Sequence, residues 1–521
     1  MADKFVKGTL ILTGAGLMVK IFASVNRILL SRLLGGEGIG LYQIAYPLYN
    51  FFVGLSAAGI PAAMSILISR RAARKEWGTA KRTFTLSLGF LILVGLLFAL
   101  LAYMLVPQLI GHHLIKDSRA YLPMMAMIPA IALEVPLYGM RGYFQGFQEM
   151  VPPAASQIFE QFVRVVVMIT LAFLLVPRGL AYGAAGAIFG AVPGAAAGIA
   201  LLIYFYHRQQ QKWHAEAREL SCPGEVPTAL STARDLTLLA VPVACANLMV
   251  PLVNLIEIIL VPDRLLVAGF TIAESTTALG YLSGMALPLV NMGTIPTNSL
   301  ALSTVPAISE GKALGRKDII ADKTRQAFRF FILLNLPAAV GVAVLGTPLA
   351  KMLYNAGQAG PVVTALAPAI FLLGLHQVSA AVLQGLGYTK APMINMLLSL
   401  IVKVGILWVL VANPLYHILG AAWATDLNLL TASILNLLFL YSKTRLSLPW
   451  KTLARTAVSS LLMGAAAWAA WGLLRPVCGG TAGTLLAVLA GAIVYALLIV
   501  VTGEIRISEV RNMIRRRRKH G

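Results

Sequence analysis

The chain has 521 residues, 58% of them hydrophobic and only 12% charged, with a mean hydropathy of +0.80. Such a composition excludes a soluble globular protein and reads as a polytopic membrane protein. The formal net charge of +22 would suggest nucleic acid in a soluble chain, but here it gathers in loops on one side of the apolar runs, so it reports topology and no nucleic-acid partner is expected.

Apolar runs of spanning length cover residues 9–33, 39–68, 84–106, 121–144, 154–176, 182–206, 236–261, 276–302, 328–349, 362–383, 391–411, 418–441, 453–474 and 481–501, fourteen in all. The fold expected is therefore all-α and membrane-integral. The first run is too long for a signal-peptide core and is read as a retained helix. It carries Lys20 and Arg27 at mid-depth, seven residues apart, with Ser24 and Ser31 on the same helical face. A cation near the bilayer centre costs about 2.5–3.5 kcal/mol, so this stripe is expected to line a water-filled cavity. Arg32, nearer the helix end, suits snorkelling to an interface.

Basic residues cluster before segment 1 and after segments 2, 6, 8 and 12, for example Arg70, Arg71, Arg74 and Lys75, or Lys312, Arg316 and Lys317. The intervening connections hold few. The positive-inside rule then places both termini in the cytoplasm. The tail from Gly503, with Arg515, Arg516, Arg517, Arg518 and Lys519, is expected to rest on anionic membrane lipids. Cys222, Cys245 and Cys478 show no ligand spacing, so neither a disulfide framework nor a metal site is expected.

The chain also repeats itself. Pro129-Ala130-Ile131 returns as Pro368-Ala369-Ile370, Gln145-Gly146 as Gln384-Gly385, Pro153 as Pro392, and Arg164-Val165 as Lys403-Val404, all at an offset of 239 residues. Pro47-Leu48-Tyr49-Asn50 resembles Pro288-Leu289-Val290-Asn291, and Ile60-Pro61-Ala62 resembles Val305-Pro306-Ala307. This predicts an N-lobe (1–207), a cytoplasmic linker (208–235), a C-lobe (236–441), two further helices (442–502) and the basic tail (503–521). Six segments per lobe keep both repeats in one orientation, with an axis along the membrane normal and a substrate cavity between them.

Gly35-Gly36-Glu37-Gly38-Ile39-Gly40-Leu41-Tyr42-Gln43, Gly59-Ile60-Pro61 and Arg141-Gly142-Tyr143-Phe144-Gln145-Gly146, followed by Pro152-Pro153, Ser156-Gln157 and Glu160-Gln161, resemble the stage V sporulation protein B branch of the polysaccharide flippases. That branch belongs with lipid II flippases in the superfamily that also contains multidrug exporters of the MATE type. The resemblance implies a bacterial inner-membrane flippase that carries an undecaprenyl-linked sugar diphosphate to the outer leaflet for peptidoglycan synthesis, in a spore former. Lys20 falls where such relatives have a cavity arginine; Asn26 and Arg27 occupy the neighbourhood of a second. Cavity arginines typical of the second and eighth segments have no counterpart here.

On this reading Lys20 and Arg27 hold the diphosphate, and Asn50 and Asn291 meet the sugar or else bond neighbouring helices. Glu160 and Arg164, four apart, form a structural pair. Lys403 is expected to cluster with Glu257, Asp426 or both, either as a fixed ion pair or as a coupling and gating group. No nucleotide-binding loop appears, so membrane potential, sodium or protons would drive the cycle; no cofactor and no enzymatic activity are expected, and the protein is read as a monomer. The competing functional reading is a MATE-type, cation-coupled multidrug exporter. A membrane glycosyltransferase lacks a metal-binding carboxylate pair outside the membrane.

Overall fold

A computed structural model describes residues 2–57, 59–220, 228–445 and 449–504. Residues 221–227 of the linker, Cys222 among them, and 505–521 of the basic tail lie outside the described residues, as do the side chains of Cys245 and Asn247. The described residues form helices α1 (Ala2–Ala57), α2 (Ile60–Ala73), α3 (Trp77–Gly111), α4 (Tyr121–Ala126), α5 (Ile128–Gly146), α6 (Val151–Leu175), α7 (Leu180–Phe189), α8 (Ala191–Leu220), α9 (Ala229–Asn247), α10 (Met249–Val267) and α11 (Ile272–Leu279). They continue as α12 (Leu287–Gly293), α13 (Ile295–Ala313), α14 (Lys317–Val344), α15 (Gly346–Tyr354), α16 (Gly360–Leu366), α17 (Pro368–Gly385), α18 (Lys390–Leu410), α19 (His417–Thr444), α20 (Trp450–Cys478) and α21 (Gly480–Val501).

Among the described residues 11 helices are long and apolar enough to cross a membrane, or up to 12 when the pair 272–293 and 295–313, bent by 51°, counts as one span. The fourteen expected from sequence differ from this for two physical reasons. First, residues 11–73 count as a single run although they hold two apolar segments. Inside α1, Gly35 adopts φ 66° and breaks the helix, a backbone region that glycine enters at no steric cost. Arg27 and Gln43, sixteen residues apart, meet across this bend at 2.7 Å; an unbroken helix would separate them by roughly 24 Å. The chain therefore doubles back at Gly35, and α1 is two arms. Second, the apolar run 236–261 is divided at Leu248 between α9 and α10.

Contacts divide the chain into two compact units, Met1–Asp263 with Thr271–Gly280, and Arg264–Phe270 with Tyr281–Gly521. Helix α9 and most of α10, which the repeat assigns to the second lobe, pack with the first unit. Gly59 abuts the Ala240 carbonyl so closely that no side chain would fit. The expected linker is in part helical, since α8 runs on to Leu220.

The repeat is visible in the backbone. A 3-10 turn at Ser118–Ala120, then α4 and α5, recur as a 3-10 turn at Gly357–Ala359, then α16 and α17, the turn, the start of α4 and the end of α5 each moved by 239 residues and the start of α5 by 240. Pro129 and Pro368 each open a helix after the break, where a missing N–H costs nothing. A Cβ on Gly146 would meet Ile68, and one on Gly385 would meet Ile308, each at 2.7 Å. This packing pairs Ile68 of α2 with Ile308 of α13 and corrects one sequence match: Pro61 opens α2, whereas Pro306 lies inside α13. Pro47 sits within α1, while Pro288 opens α12 after a π-helical turn at Gly280–Ala286.

The first unit packs Met64, Ile68, Phe84, Leu91, Tyr143 and Phe144 in its core. In the second, Ile308, Phe328, Phe331, Val378 and Leu383 play that part, with α20 and α21 on one flank through Ala467 and Ala487.

Candidate functional site

In the first unit the stripe of segment 1 is graded in exposure: Lys20 is exposed, Ser24 and Arg27 are half-buried, and Ser31 is buried. Arg27 is the member with a built environment. Its Nη1 donates to Gln43 Oε1 at 2.7 Å, and its guanidinium lies 5.4 Å from the Tyr42 ring centroid and 5.7 Å from that of Tyr46. All three partners come from the second arm of α1, so the bend at Gly35 is what assembles them. A guanidinium held by one amide and two aromatic faces retains further N–H donors for a planar anion.

Tyr42, Tyr46 and Tyr49 follow one another at helical spacing, with ring centroids 5.4 Å and then 6.1 Å apart. The ladder ends on charge. Tyr49 donates its hydroxyl hydrogen to Glu134 Oε1 at 2.6 Å, and Arg164 Nη2 reaches the same oxygen at 2.6 Å and Glu160 Oε1 at 2.6 Å. Arg141 Nη2 then donates to Glu160 Oε2 at 2.5 Å, and its Nε to Ser156 Oγ at 2.9 Å. Two carboxylates and two guanidiniums, from α5 and α6, thus balance in a buried chain. Burial of this many charges is tolerable only because each is paired and hydrogen-bonded. The expected pair of Glu160 and Arg164 is part of this larger group. Glu134 and Arg141, whose role sequence reading missed, lie seven apart on one helix, which puts them on one face.

At the corresponding positions of the second repeat stand Leu373, Ala380, Ser399 and Lys403. The second unit uses neutral polar groups instead: Asn395 Nδ2 donates to Asn436 Oδ1 at 2.8 Å, and Asn436 Nδ2 lies 3.3 Å from His376 Nδ1 and donates to Ser379 Oγ at 3.3 Å. Asn335 bonds Thr297 and the Ile370 carbonyl.

Of the residues expected to cluster with Lys403, Glu257 and Asp426 lie in different units. Glu257 is buried in the first unit, and Lys403 and Asp426 are buried in the second. No ion pair joins Lys403 to Asp426 among the described residues; the Asp426 carboxylate lies near the Ala369 backbone N–H, and its Oδ1 has no hydrogen-bond partner among the described residues. That N–H belongs to the first turn of α17, where donors lack intrahelical partners and the helix dipole favours an anion. Asn50 is half-buried on the second arm of α1. Asn291 is exposed on α12, its carbonyl accepting from Thr294 Oγ1 at 3.1 Å.

A second polar cluster in the first unit was not foreseen. Asp117 caps the turn that opens α4 and accepts from Arg119 N, Nε and Nη2 at 2.9–3.0 Å and from Thr276 Oγ1 at 2.8 Å. Arg119 Nη1 also reaches Glu37 Oε1 at 2.7 Å, and Lys116 pairs with Asp263 at 3.0 Å. Burial works to raise the Asp117 carboxyl, but the bonds from Arg119 and Thr276 outweigh it and hold the group below the usual carboxylate range. Beside the cluster, α1 and α11 touch backbone to backbone: Gly40 against the Thr276 carbonyl and Gly280 against the Gly36 carbonyl leave no room for a Cβ. The glycines of Gly35-Gly36-Glu37-Gly38-Ile39-Gly40 were the sequence signal for this approach.

Residues 5–312 match the family described as polysaccharide biosynthesis protein, and residues 242–409 match the MatE family. Stage V sporulation protein B of Bacillus subtilis (strain 168) is 30% identical over 432 residues, 83% of this chain and 82% of that protein. The lipid II flippase MurJ of the same organism is 26% identical over 490 residues, 89% of this chain and 87% of that protein. Among solved structures, the lipid II flippase MurJ in an inward closed conformation aligns with a TM-score of 0.70 at 13% identity, covering 94% of this chain and 98% of that one. An inward-facing multidrug resistance MATE family transporter aligns with a TM-score of 0.64 at 14% identity, covering 84% and 98%. The chain belongs to the polysaccharide biosynthesis protein family and is a multi-pass membrane transporter of the MOP superfamily, related to the stage V sporulation protein B and MurJ proteins.

Proposed function

We propose that this protein is a flippase for an anionic, lipid-linked cell-wall sugar precursor of the lipid II type, moved from the cytoplasmic to the outer leaflet by alternating access. The observation that carries this reading is Arg27, a half-buried guanidinium on a spanning helix, oriented by Gln43, Tyr42 and Tyr46. With Lys20 on the same face it offers cations to a diphosphate, while Asn50 and Asn291 are assigned to the sugar; the polyprenyl tail stays in lipid. With both termini cytoplasmic, membrane potential drives the step, since moving an anion outward releases about 2.3 kcal/mol per charge per 100 mV. Glu257 and Lys403 are assigned to any accompanying sodium or proton cycle, and Asp426 to positioning α17. No cofactor and no catalytic residue enter this mechanism.

The MatE match over residues 242–409 supports a second reading, a multidrug exporter that expels organic cations. Such a cargo calls for an acid with charge to spare. In the first unit Glu134 and Glu160 each already face arginine, which weighs toward the anionic cargo.

The test is translocation of fluorescent lipid II in proteoliposomes, with and without an imposed potential, for wild type and Arg27→Ala. Movement by the wild type and none by a folded Arg27→Ala supports the flippase. A wild type that ignores lipid II but moves an organic cation against sodium or protons supports the exporter.

A further inference from the structure

Two lysines of the second unit converge on one exposed tyrosine. Lys312, at the end of α13, and Lys443, at the end of α19, each place Nζ 5.9 Å from the Tyr388 ring centroid, and Lys443 lies 5.6 Å from that of Phe439. The two rings meet edge to face at 5.4 Å. No carboxylate pairs with either lysine among the described residues. Lys312 donates to the Leu386 carbonyl at 2.6 Å, which leaves two of its three protons; Lys443 faces the Tyr388 and Phe439 rings. Like charges drawn together with no acid between them make a receptor for an anion.

The turn beneath them is built to admit the ammonium. Helix α17 ends in a Schellman motif, with Tyr388 N bonded to Leu383 O and Gly387 N to Gln384 O at 2.9 and 2.8 Å. Gly387 has φ 87°, and a Cβ there would stand 2.9 Å from Lys312 Nζ. The turn itself does not need a lysine. Its counterpart after α5 makes the same two bonds, Glu149 N to Phe144 O and Gln148 N to Gln145 O, with Gln148 in the left-handed position, and Glu149 stands where the second repeat has Tyr388.

We propose that Lys312 and Lys443 bind the phosphate of an anionic phospholipid in the leaflet on the basic side of the protein, with Tyr388 and Phe439 as the floor of the site. Exposed apolar side chains lead away from it, Ile394 and Ile401 on α18 and Ile434 and Leu438 on α19, each between 44% and 70% exposed. They offer acyl chains a surface that a soluble phosphate would not use. Tyr388 and Tyr441, also exposed, suit the headgroup level where aromatic rings gather. Which leaflet this is rests on the proposed topology; the binding does not.

The test is native mass spectrometry of the full-length protein titrated with phosphatidylglycerol and, separately, phosphatidylcholine. Wild type should retain phosphatidylglycerol preferentially. Lys443→Gln, which leaves the helix-end bond of Lys312 intact, should weaken it about fivefold, and Lys312→Gln with Lys443→Gln about twentyfold or more. Arginine at both positions should restore binding. A variant with glutamine at Arg515, Arg516, Arg517 and Arg518 should keep the preference, separating this site from the tail. Equal retention by the double glutamine variant, or loss of the preference in the tail variant alone, would overturn the proposal, whatever the transport assay gives.

Discussion

Tyr49 donates to Glu134 at 2.6 Å and thereby ties the second arm of α1 to α5. The same carboxylate oxygen holds Arg164, so a neutral hydroxyl and a guanidinium share one acceptor inside the first unit. Tyr49→Phe removes one bond and leaves the acid satisfied by arginine; the expected cost is about 1–3 kcal/mol. Glu134→Ala leaves a buried guanidinium short of charge, with an expected cost of about 3–5 kcal/mol. Thermal unfolding in detergent should therefore rank wild type above Tyr49→Phe and Tyr49→Phe above Glu134→Ala. A Glu134→Ala midpoint equal to that of Tyr49→Phe would mean that Arg164 is held by Glu160 alone.

Arg27 depends on fork geometry. Lysine at this position keeps the charge but cannot bond Gln43 and present further donors in one plane. Arg27→Lys is expected to retain the fold and lose at least about tenfold in lipid II translocation, one broken charge-assisted bond being worth about 1.5–3 kcal/mol. Gln43→Leu should lower translocation in the same direction by releasing the guanidinium. If Arg27→Lys transports like wild type, simple charge suffices and the aromatic cage is packing.

The cluster at Asp117 predicts a pH dependence. Its folded pKa is depressed, so its contribution is whole above the ordinary aspartate value of about 3.9 and is lost as the pH falls through the native value. Ser275 is buried next to Thr276, so a cysteine there reports opening. Ser275→Cys should resist thiol reagents at neutral pH and become reactive only as the pH falls below the ordinary aspartate value, scored by an acid-competent probe. Adding Asp117→Asn should open the site at neutral and acid pH alike. Gly40→Val should do so as well, because its side chain would occupy the position of the Thr276 carbonyl.

The repeat was legible because prolines and glycines mark positions where a helix must break or two backbones must touch, and those needs recur in both units. Pro129 and Pro368, or Gly146 and Gly385, could be matched by eye for that reason. The exposure order of Lys20, Arg27 and Ser31 was not legible, since it depends on the turn at Gly35 bringing the second arm of α1 back over the first. Nor was the partition of charge. Glu160 and Arg164 announce themselves at four-residue spacing, whereas their links to Glu134 and Arg141 cross between helices. Lys403 and Asp426 were matched in sequence by charge alone, whereas the placement of Asp426 near the first turn of α17 follows from the break before that helix, which no count of charges reveals.

That placement makes the role of Asp426 testable. As a cap on α17, the position needs an acceptor oxygen and not a charge, so Asp426→Asn should melt close to wild type, because asparagine and aspartate cap helices about equally well. Asp426→Leu should lose about 0.5–2 kcal/mol. Translocation by Asp426→Asn should stay within about twofold of wild type, a barrier change of roughly 0.4 kcal/mol, at any imposed potential and any sodium concentration. Were it instead to transport only without a sodium or proton gradient, the carboxylate would be titrating or binding an ion during the cycle, and Asp426 would join Glu257 and Lys403 as a coupling residue. A stable but inactive Asp426→Asn would separate charge from capping most sharply, since an acceptor oxygen near the first turn of α17 survives the substitution and only the negative charge is gone.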